Sequence, residues 1–413
     1  MKNKNIFFIV GLIILAVVYL FLRLNKLEER MVFHMDQGLH LSESWQMVTK
    51  KDIQLIGPMA SKTYLGKKFF VGANYYYILG VVGLIGQWNP LKITTIFIFL
   101  ELGFYLFFIF FLKRKFNNFW SLIVFLFISI SPYLIIHSRF FWNPHLLVPL
   151  SILVLYFGDK YLFKGKSKYL FLAAFFWGFG IACHYSAIFW GLFFVYLLVK
   201  LKQVRVIKSY LIMVMGFILG DLPWFIFELR HGFYNTKTMF YVFMNSNSGR
   251  EITSHYFVFP LLVFIIFGLL LIKKNKKING GILMTLLFGL FFIQIIIYKN
   301  YQPLDVVEGW NYPRQKEVIN RILKNGCLKN FNVASTVGGD TRSYDLRFLL
   351  TTRSCFPMGV EEYPKTERLF LIAPINRPPE TEKVWEVSSL DKYKVNRQEK
   401  LTEKIVFWDL SRI

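Results

Sequence analysis

Of 413 residues, 55% are hydrophobic and 19% aromatic, and the mean hydropathy is +0.42. Apolar stretches of about 15 to 20 residues recur along the chain, the length a helix needs to cross a hydrocarbon core, so composition points to a polytopic membrane protein. The net charge of +24 excludes less than it suggests: residues 300–413 carry 18 basic and 15 acidic residues, leaving 31 basic and 10 acidic in the apolar part. Much of that excess sits in short loops, where anionic lipid attracts it, and nucleic acid is not indicated as a partner.

Taken in chain order, the expected spans are residues 6–23, 92–112, 119–136, 145–163, 168–182, 185–200, 209–227, 256–272 and 281–298. The first lacks a small-residue cleavage pattern and continues through Tyr19, Leu20 and Phe21 into Arg23, so it reads as a retained anchor. A further apolar stretch, 71–87, contains Asn74, Tyr75, Tyr76, Tyr77, Gln87 and Trp88 and suits a re-entrant or interfacial helix.

Basic clusters set the orientation, because cytoplasmic loops retain Lys and Arg. They are Lys2 and Lys4; Lys113 to Lys115; Lys160, Lys164, Lys166 and Lys168; Lys200, Lys202, Arg205 and Lys208; and Lys273, Lys274, Lys276 and Lys277. They alternate with the spans so that the N-terminus is cytoplasmic and everything after residue 298 is extracytoplasmic. All seven histidines, His34, His40, His137, His145, His184, His231 and His255, then fall at the opposite, external ends.

The expected organisation is an all-α transmembrane domain of about 9 to 10 helices over residues 1–298, with a long first external loop at 25–91. A small extracytoplasmic α/β domain over 299–413 follows. In that tail, Pro313 is placed to start a helix running through Ile322 to Gly326, and Phe331–Ala334, Leu369–Ala373 and Ile405–Trp408 read as strands. Of the three cysteines, Cys327 and Cys355 share the external tail and are able to pair, while Cys183 reads as a packing residue.

Candidate chemistry gathers on the external side. Asp36, within His34-Met35-Asp36-Gln37-Gly38-Leu39-His40, is a carboxylate close beyond the first span, and partial burial would tune it as a general base. The bland alternative is that Asp36 caps a helix over Gln37 to Val48. In the short turn His137-Ser138-Arg139-Phe140-Phe141-Trp142-Asn143-Pro144-His145, Arg139 sits where a guanidinium would clamp phosphate oxygens, and Pro144 can open a helix whose free amides favour an anion. Interfacial snorkelling by Arg139, with Trp142 in an aromatic belt, accounts for those two residues but not for the Asn143-Pro144-His145 that follows. His184 and Tyr185 form a polar hinge between two short spans, and Glu228 and Arg230 read as an interfacial ion pair.

Four features together resemble the GT-C superfamily of membrane glycosyltransferases. They are an acid in a long first external loop; Ser138-Arg139-x-x-Trp142-Asn143-Pro144 in a short second one; the hinge His184-Tyr185-Ser186; and Pro223 followed by Glu228-Leu229-Arg230-His231-Gly232-Phe233-x-Asn235-Thr236 at a later helix exit. The branch is that of bacterial relatives of dolichyl-phosphate-mannose protein mannosyltransferases and of the lipid A aminoarabinose transferase, and the likeness covers about the first 260 residues. It implies transfer of a sugar, with inversion, from a polyprenyl-phosphate carrier to a protein, lipid or glycan acceptor at the outer leaflet of the cell membrane. Asp36 takes the role of base. Arg139, with His184 and Tyr185, falls where donor phosphate is held, and Gln37, His137, Trp142, Asn143 and Glu228 line the same cavity. Many members have Asp-Glu where this chain has Asp36-Gln37, which favours a mechanism with no required cofactor, a divalent cation staying an alternative.

Two readings from other classes stay open. A flippase or transporter for a polyprenyl-linked glycan would show inverted repeats and ionisable groups near the bilayer midplane. A scaffold that only anchors the external domain would need neither the hinged spans nor the crowded turn.

Overall fold

The computed structural model describes all residues except 1, 32, 61–62, 203–205, 246–265, 267–280, 299–305 and 325. The expected span 256–272, His255, Arg205 and the basic cluster Lys273 to Lys277 lie outside the described residues. The chain is helix-rich with a small C-terminal sheet.

Among the described residues, three single helices are long and apolar enough to cross a membrane: α1 (Lys2–Leu24), α5 (Pro90–Lys115) and the run from Asn143 through α8 (Leu147–Lys164). Two expected spans are instead broken. Residues 119–136 divide into α6 (Asn118–Ile130) and α7 (Pro132–Ser138), bent by 59°. Pro132 removes a backbone donor in mid-span, and the Ser131 hydroxyl accepts from the Leu134 amide to restart the helix. Residues 209–227 divide into α11 (Ile207–Gly220) and α12 (Leu222–Arg230), bent by 86° at buried Asp221 with Pro223 following. Hydropathy detects apolar length and passes over such breaks.

The 71–87 stretch gives β2 (Phe70–Gly72), paired antiparallel with β1 (Ile56–Met59), and then α4 (Asn74–Ile85). At 12 residues α4 is only about 18 Å long, short of a full crossing, as a re-entrant reading requires. Between α9 (Ser167–Cys183) and α10 (Gly191–Lys200), a 3₁₀ turn over Tyr185–Trp190 starts at His184, whose ring accepts from the Ser186 amide at 3.1 Å. Glycines let α11 lie against α9: a Cβ at Gly178, Gly216 or Gly220 would strike backbone of the facing helix. α13 (Tyr234–Asn245) and α14 (Gly281–Tyr298) complete the described apolar part.

In the tail, α15 (Tyr312–Leu323) begins as Pro313 predicts, with Asn311 as its cap. A four-stranded sheet has the order β3 (Phe331–Ser335), β4 (Arg368–Pro374), β6 (Ile405–Arg412), β5 (Tyr393–Lys400). β3 and β4 are parallel, joined through α16 (Tyr344–Thr351), and the remaining pairs are antiparallel. Side chains alternate between faces. Phe331, Val333, Phe370, Ile372 and Phe407 join the large core that runs into the apolar part, while Leu369, Leu371, Trp408 and Leu410 pack with Val387 and Leu390 beneath. Cys327 and Cys355 form a disulfide, and Cys183 is buried and free.

The tail docks on the loop that follows α1, which holds α2 (Leu27–Arg30) and α3 (Met35–Lys50). The Gln315 amide donates to the Phe33 carbonyl at 2.5 Å and to the Asp345 carboxylate at 2.6 Å, and Lys316 pairs with Glu28. Gly38 is what allows α3 to meet α16: a Cβ there would overlap the Tyr344 carbonyl and the Asp345 amide. Backbone cannot swing aside as a side chain does. We expect Gly38→Ala to cost about 1–3 kcal/mol through overpacking and to expose the tail to protease; unchanged melting and proteolysis would show that the tail docks elsewhere.

Candidate functional site

The candidate site is built where the loop after α1, the turn between α7 and α8 and the tail meet. The local sequence explains the first piece. His34, extended at φ −96°, caps α3: its ring accepts from the Asp36 amide, and the Gln37 side chain accepts from the His34 amide at 2.8 Å. The helix therefore starts at Met35, two residues before the expected Gln37, and its cap is His34. Asp36 is not the cap. It stands in the first turn, half-buried, and burial together with the Asp340 carboxylate pushes its pKa up to about 6. Burial holds His34 neutral, its pKa lowered to about 4, with the nearby Asp340 acting in the other direction. Gln37 is fully buried as part of the cap, and His40, one turn on, lies edge-on to Tyr75 at 5.5 Å.

The turn adjoins this loop through aromatic rings: His34 with Phe140 at 6.4 Å, Phe33 with Phe141 at 6.4 Å. In the turn, the Arg139 guanidinium donates to the carbonyls of Leu22 and Arg23, the last of α1. Such carbonyls lack helical partners, so Arg139 has a structural task that the sequence did not disclose. It is still a poorly compensated cation: burial, then the charges of Arg30 and Arg23, lower its pKa to about 10. Arg23 is fully buried, stacked 3.6 Å over the Tyr19 ring and bonded to the carbonyls of Ile128 and Ser129. Tyr19 in turn donates to Glu101 of α5 at 3.3 Å, joining two helices.

His137 and His145 meet at 2.6 Å between ring nitrogens and line a second pocket with Glu101, Tyr105 and Tyr133. Trp142 packs edge-on to Phe140 and to His145. The Asn143 amide donates to the Cys183 carbonyl at 2.7 Å, tying the turn to the end of α9 beside His184.

The other hinge residues go elsewhere. Tyr185 donates to the Phe70 carbonyl, and Asn235 exchanges two bonds with the Phe70 backbone, at 2.7 and 2.8 Å, like an extra strand on β2. Glu228 is fully buried and accepts from the amides of Asn235 and Thr236 at 3.0 and 2.9 Å. It caps α13 instead of pairing with Arg230, because two free amides at a helix start satisfy a buried carboxylate better than an exposed guanidinium does. The Asp221 carboxylate is buried at the bend between α11 and α12, where it packs against Gly72. Asp340 and Asp345 from the tail were missed. They follow β3, and the carboxyl ends of parallel strands are where α/β sheets bind ligands, which was the available signal. Among the described residues no group of three or more His, Cys, Asp or Glu is arranged to hold a metal ion.

Residues 72–227, from the end of β2 into α12, match the family described as dolichyl-phosphate-mannose-protein mannosyltransferase. That match, over 72–227, supports the likeness to the GT-C superfamily. The family so described is one of GT-C-type glycosyltransferases. The match contains Arg139, Trp142, Asn143, His184 and Tyr185, ends one residue before Glu228, and includes neither Asp36 nor the tail. No curated protein and no solved structure matches the chain.

Proposed function

We propose that this chain is a GT-C glycosyltransferase that takes a sugar from a polyprenyl-phosphate carrier and passes it, with inversion, to an extracytoplasmic acceptor at the outer leaflet of the cell membrane. The observation that supports this most is that Asp36, a half-buried carboxylate not used as a helix cap, stands on the loop whose Phe33 and His34 pack against Phe141 and Phe140 of the turn that carries Arg139, a cation held among Arg30 and Arg23. Cleaving the sugar–phosphate bond builds positive charge on the ring and negative charge on the departing phosphate. Arg139 meets the phosphate, Asp36 takes the proton of the acceptor from the opposite side, and Asn143 and His184 hold the wall between them. Residues 1–298 act as the transmembrane catalytic domain of about 9 to 10 helices. Residues 299–413 act as an external domain, on the side where the disulfide of Cys327 and Cys355 forms and persists.

The donor class is testable with purified protein in nanodiscs. Labelled sugar on polyprenyl phosphate is expected to be transferred and the same sugar on a nucleotide is not; use of the nucleotide donor would overturn the proposal. A pH profile tests the base. Asp36 must be ionised to act, so the rate is expected to rise as pH increases through about 6 and to fall about tenfold per unit below it. His34, neutral down to about 4, adds no second limb in that range. A flat profile between about pH 4.5 and 7.5 would remove Asp36 from the proton transfer.

A further inference from the structure

A helix that lies on a protein in water buries its apolar stripe. α13 does the reverse. It turns Asn235, Thr238 and Val242 inward, all buried, and Tyr234, Lys237, Phe240 and Met244 outward. Phe240 is 61% and Met244 83% exposed. Spacings of three and four residues set these side chains on one stripe, and the helix cannot roll to hide it. Asn235 bonds twice to the Phe70 backbone, and buried Glu228 accepts from the amides of Asn235 and Thr236.

A second apolar point adjoins the stripe. Between β1 and β2 the chain turns through Leu65 and Gly66, both left-handed at φ +47° and +74°, where Asn and Gly are the ordinary residues. The leucine at this tip is 78% exposed. Tyr241 of α13 ties the tip to the helix: the Tyr64 ring lies 5.7 Å from it, and the Lys67 ammonium stands 4.0 Å over its face. Around these apolar groups Lys67, Lys68, Arg230 and Lys237 are exposed. Residues 53–72 and 229–245 contain no acid at all.

We propose that the outward stripe of α13 and the Leu65 tip form one docking surface for the bilayer on the side of the candidate site. The apolar side chains sit in the shallow acyl region, and Lys67, Lys68 and Lys237 meet anionic headgroups. An aromatic and methionine stripe beside lysines is what an in-plane interfacial helix presents, and the Lys237 stem lies along that stripe while its ammonium reaches the headgroups. At 12 residues α13 is about 18 Å long, too short to cross. It follows α12, the second half of a bent apolar pair long enough for a span, so the chain arrives at this surface from the membrane. Cations without acids complement an anionic leaflet. The Phe70 carbonyl that Asn235 bonds also accepts from the Tyr185 hydroxyl, so lipid held on α13 fixes the depth of the hinge at His184 and Tyr185.

The surface is tested without any sugar donor. Leu65→Cys and Phe240→Cys are each labelled with a maleimide fluorophore; Cys183 is buried and Cys327 and Cys355 are paired, so the introduced thiol is the one that reacts. The full chain is placed in nanodiscs of phosphatidylcholine alone or with about 30% phosphatidylglycerol. Lipids brominated near the headgroup are expected to quench both labels more strongly than lipids brominated near the chain end, and at least about twofold more strongly than aqueous iodide. Phosphatidylglycerol is expected to raise that lipid quenching at least about twofold. The combined Lys67→Gln, Lys68→Gln and Lys237→Gln variant is expected to lose this increase. Stronger quenching by iodide would put the face in water, and stronger quenching from the chain ends would make α13 part of a span. Protection from both quenchers would give the face to a second protein surface, and loss of lipid quenching on adding a trace of polyprenyl phosphate would give it to the carrier. Each of these, or indifference to phosphatidylglycerol, overturns the proposal.

Discussion

Asp36→Asn is expected to lower sugar transfer by roughly 10² to 10⁴-fold, the range lost with a general base, while the amount of folded protein in the membrane stays the same. The geometry separates the two effects. Capping of α3 is done by His34 and Gln37, and both of those hydrogen bonds survive the change. What the fold loses is a negative charge in the first turn of a helix, worth about 0.3–1 kcal/mol, offset in part by relief of repulsion from Asp340. Asparagine keeps the shape and hydrogen-bonds its surroundings but cannot accept the proton. Full activity in this variant would reduce Asp36 to a helix-dipole residue and leave the chain without its base.

Arg139→Ala is expected to cost about 10² to 10³ in kcat/KM for the donor, as removal of a preorganised charge-stabilising group does, with a much smaller change in the KM for the acceptor. The residue also closes the end of α1 through the carbonyls of Leu22 and Arg23, so some loss of stability accompanies it. Arg139→Lys separates these roles: it keeps a cation for phosphate but not the planar fork. Lysine is expected to recover donor use partly while the melting temperature stays as low as that of alanine. Equal losses for donor and acceptor in both variants would mean that Arg139 only holds α1 in place, and the phosphate would have to be met by another group.

How much of this was written in the sequence depends on the range of the interaction. Apolar length alone picked out the long apolar helices, because a run such as Pro90–Lys115 has only one solvent to face. The breaks at Ser131 and Asp221 were harder, since their polar groups are few and the apolar count continues across them. Three of the four tail strands were visible as apolar runs. β5 was not: Tyr393–Lys400 is a polar edge strand whose side chains mostly face water. The hairpin of β1 and β2 was hidden by brevity.

At the site, Asp36 and Arg139 stood out because charges near an interface are scarce. Their local work did not. A histidine is an uncommon helix cap, and nothing in the local spacing says that Glu228 will turn to the amides of Asn235 and Thr236. The contribution of Asp340 was least legible. It lies some 300 positions from Asp36 in the chain and reaches it only because Gly38 admits α16 against α3.

The most direct measurement is made with the full chain in proteoliposomes loaded with labelled sugar on polyprenyl phosphate. Transfer to an acceptor glycan, the anomeric configuration of the product and movement of the carrier across the bilayer are scored in the same preparation, for the native chain and for Asp36→Asn. The account predicts an inverted glycosidic product from the native chain, its loss in the variant, and no carrier translocation in either. Translocation without transfer, or transfer that Asp36→Asn leaves untouched, would contradict it.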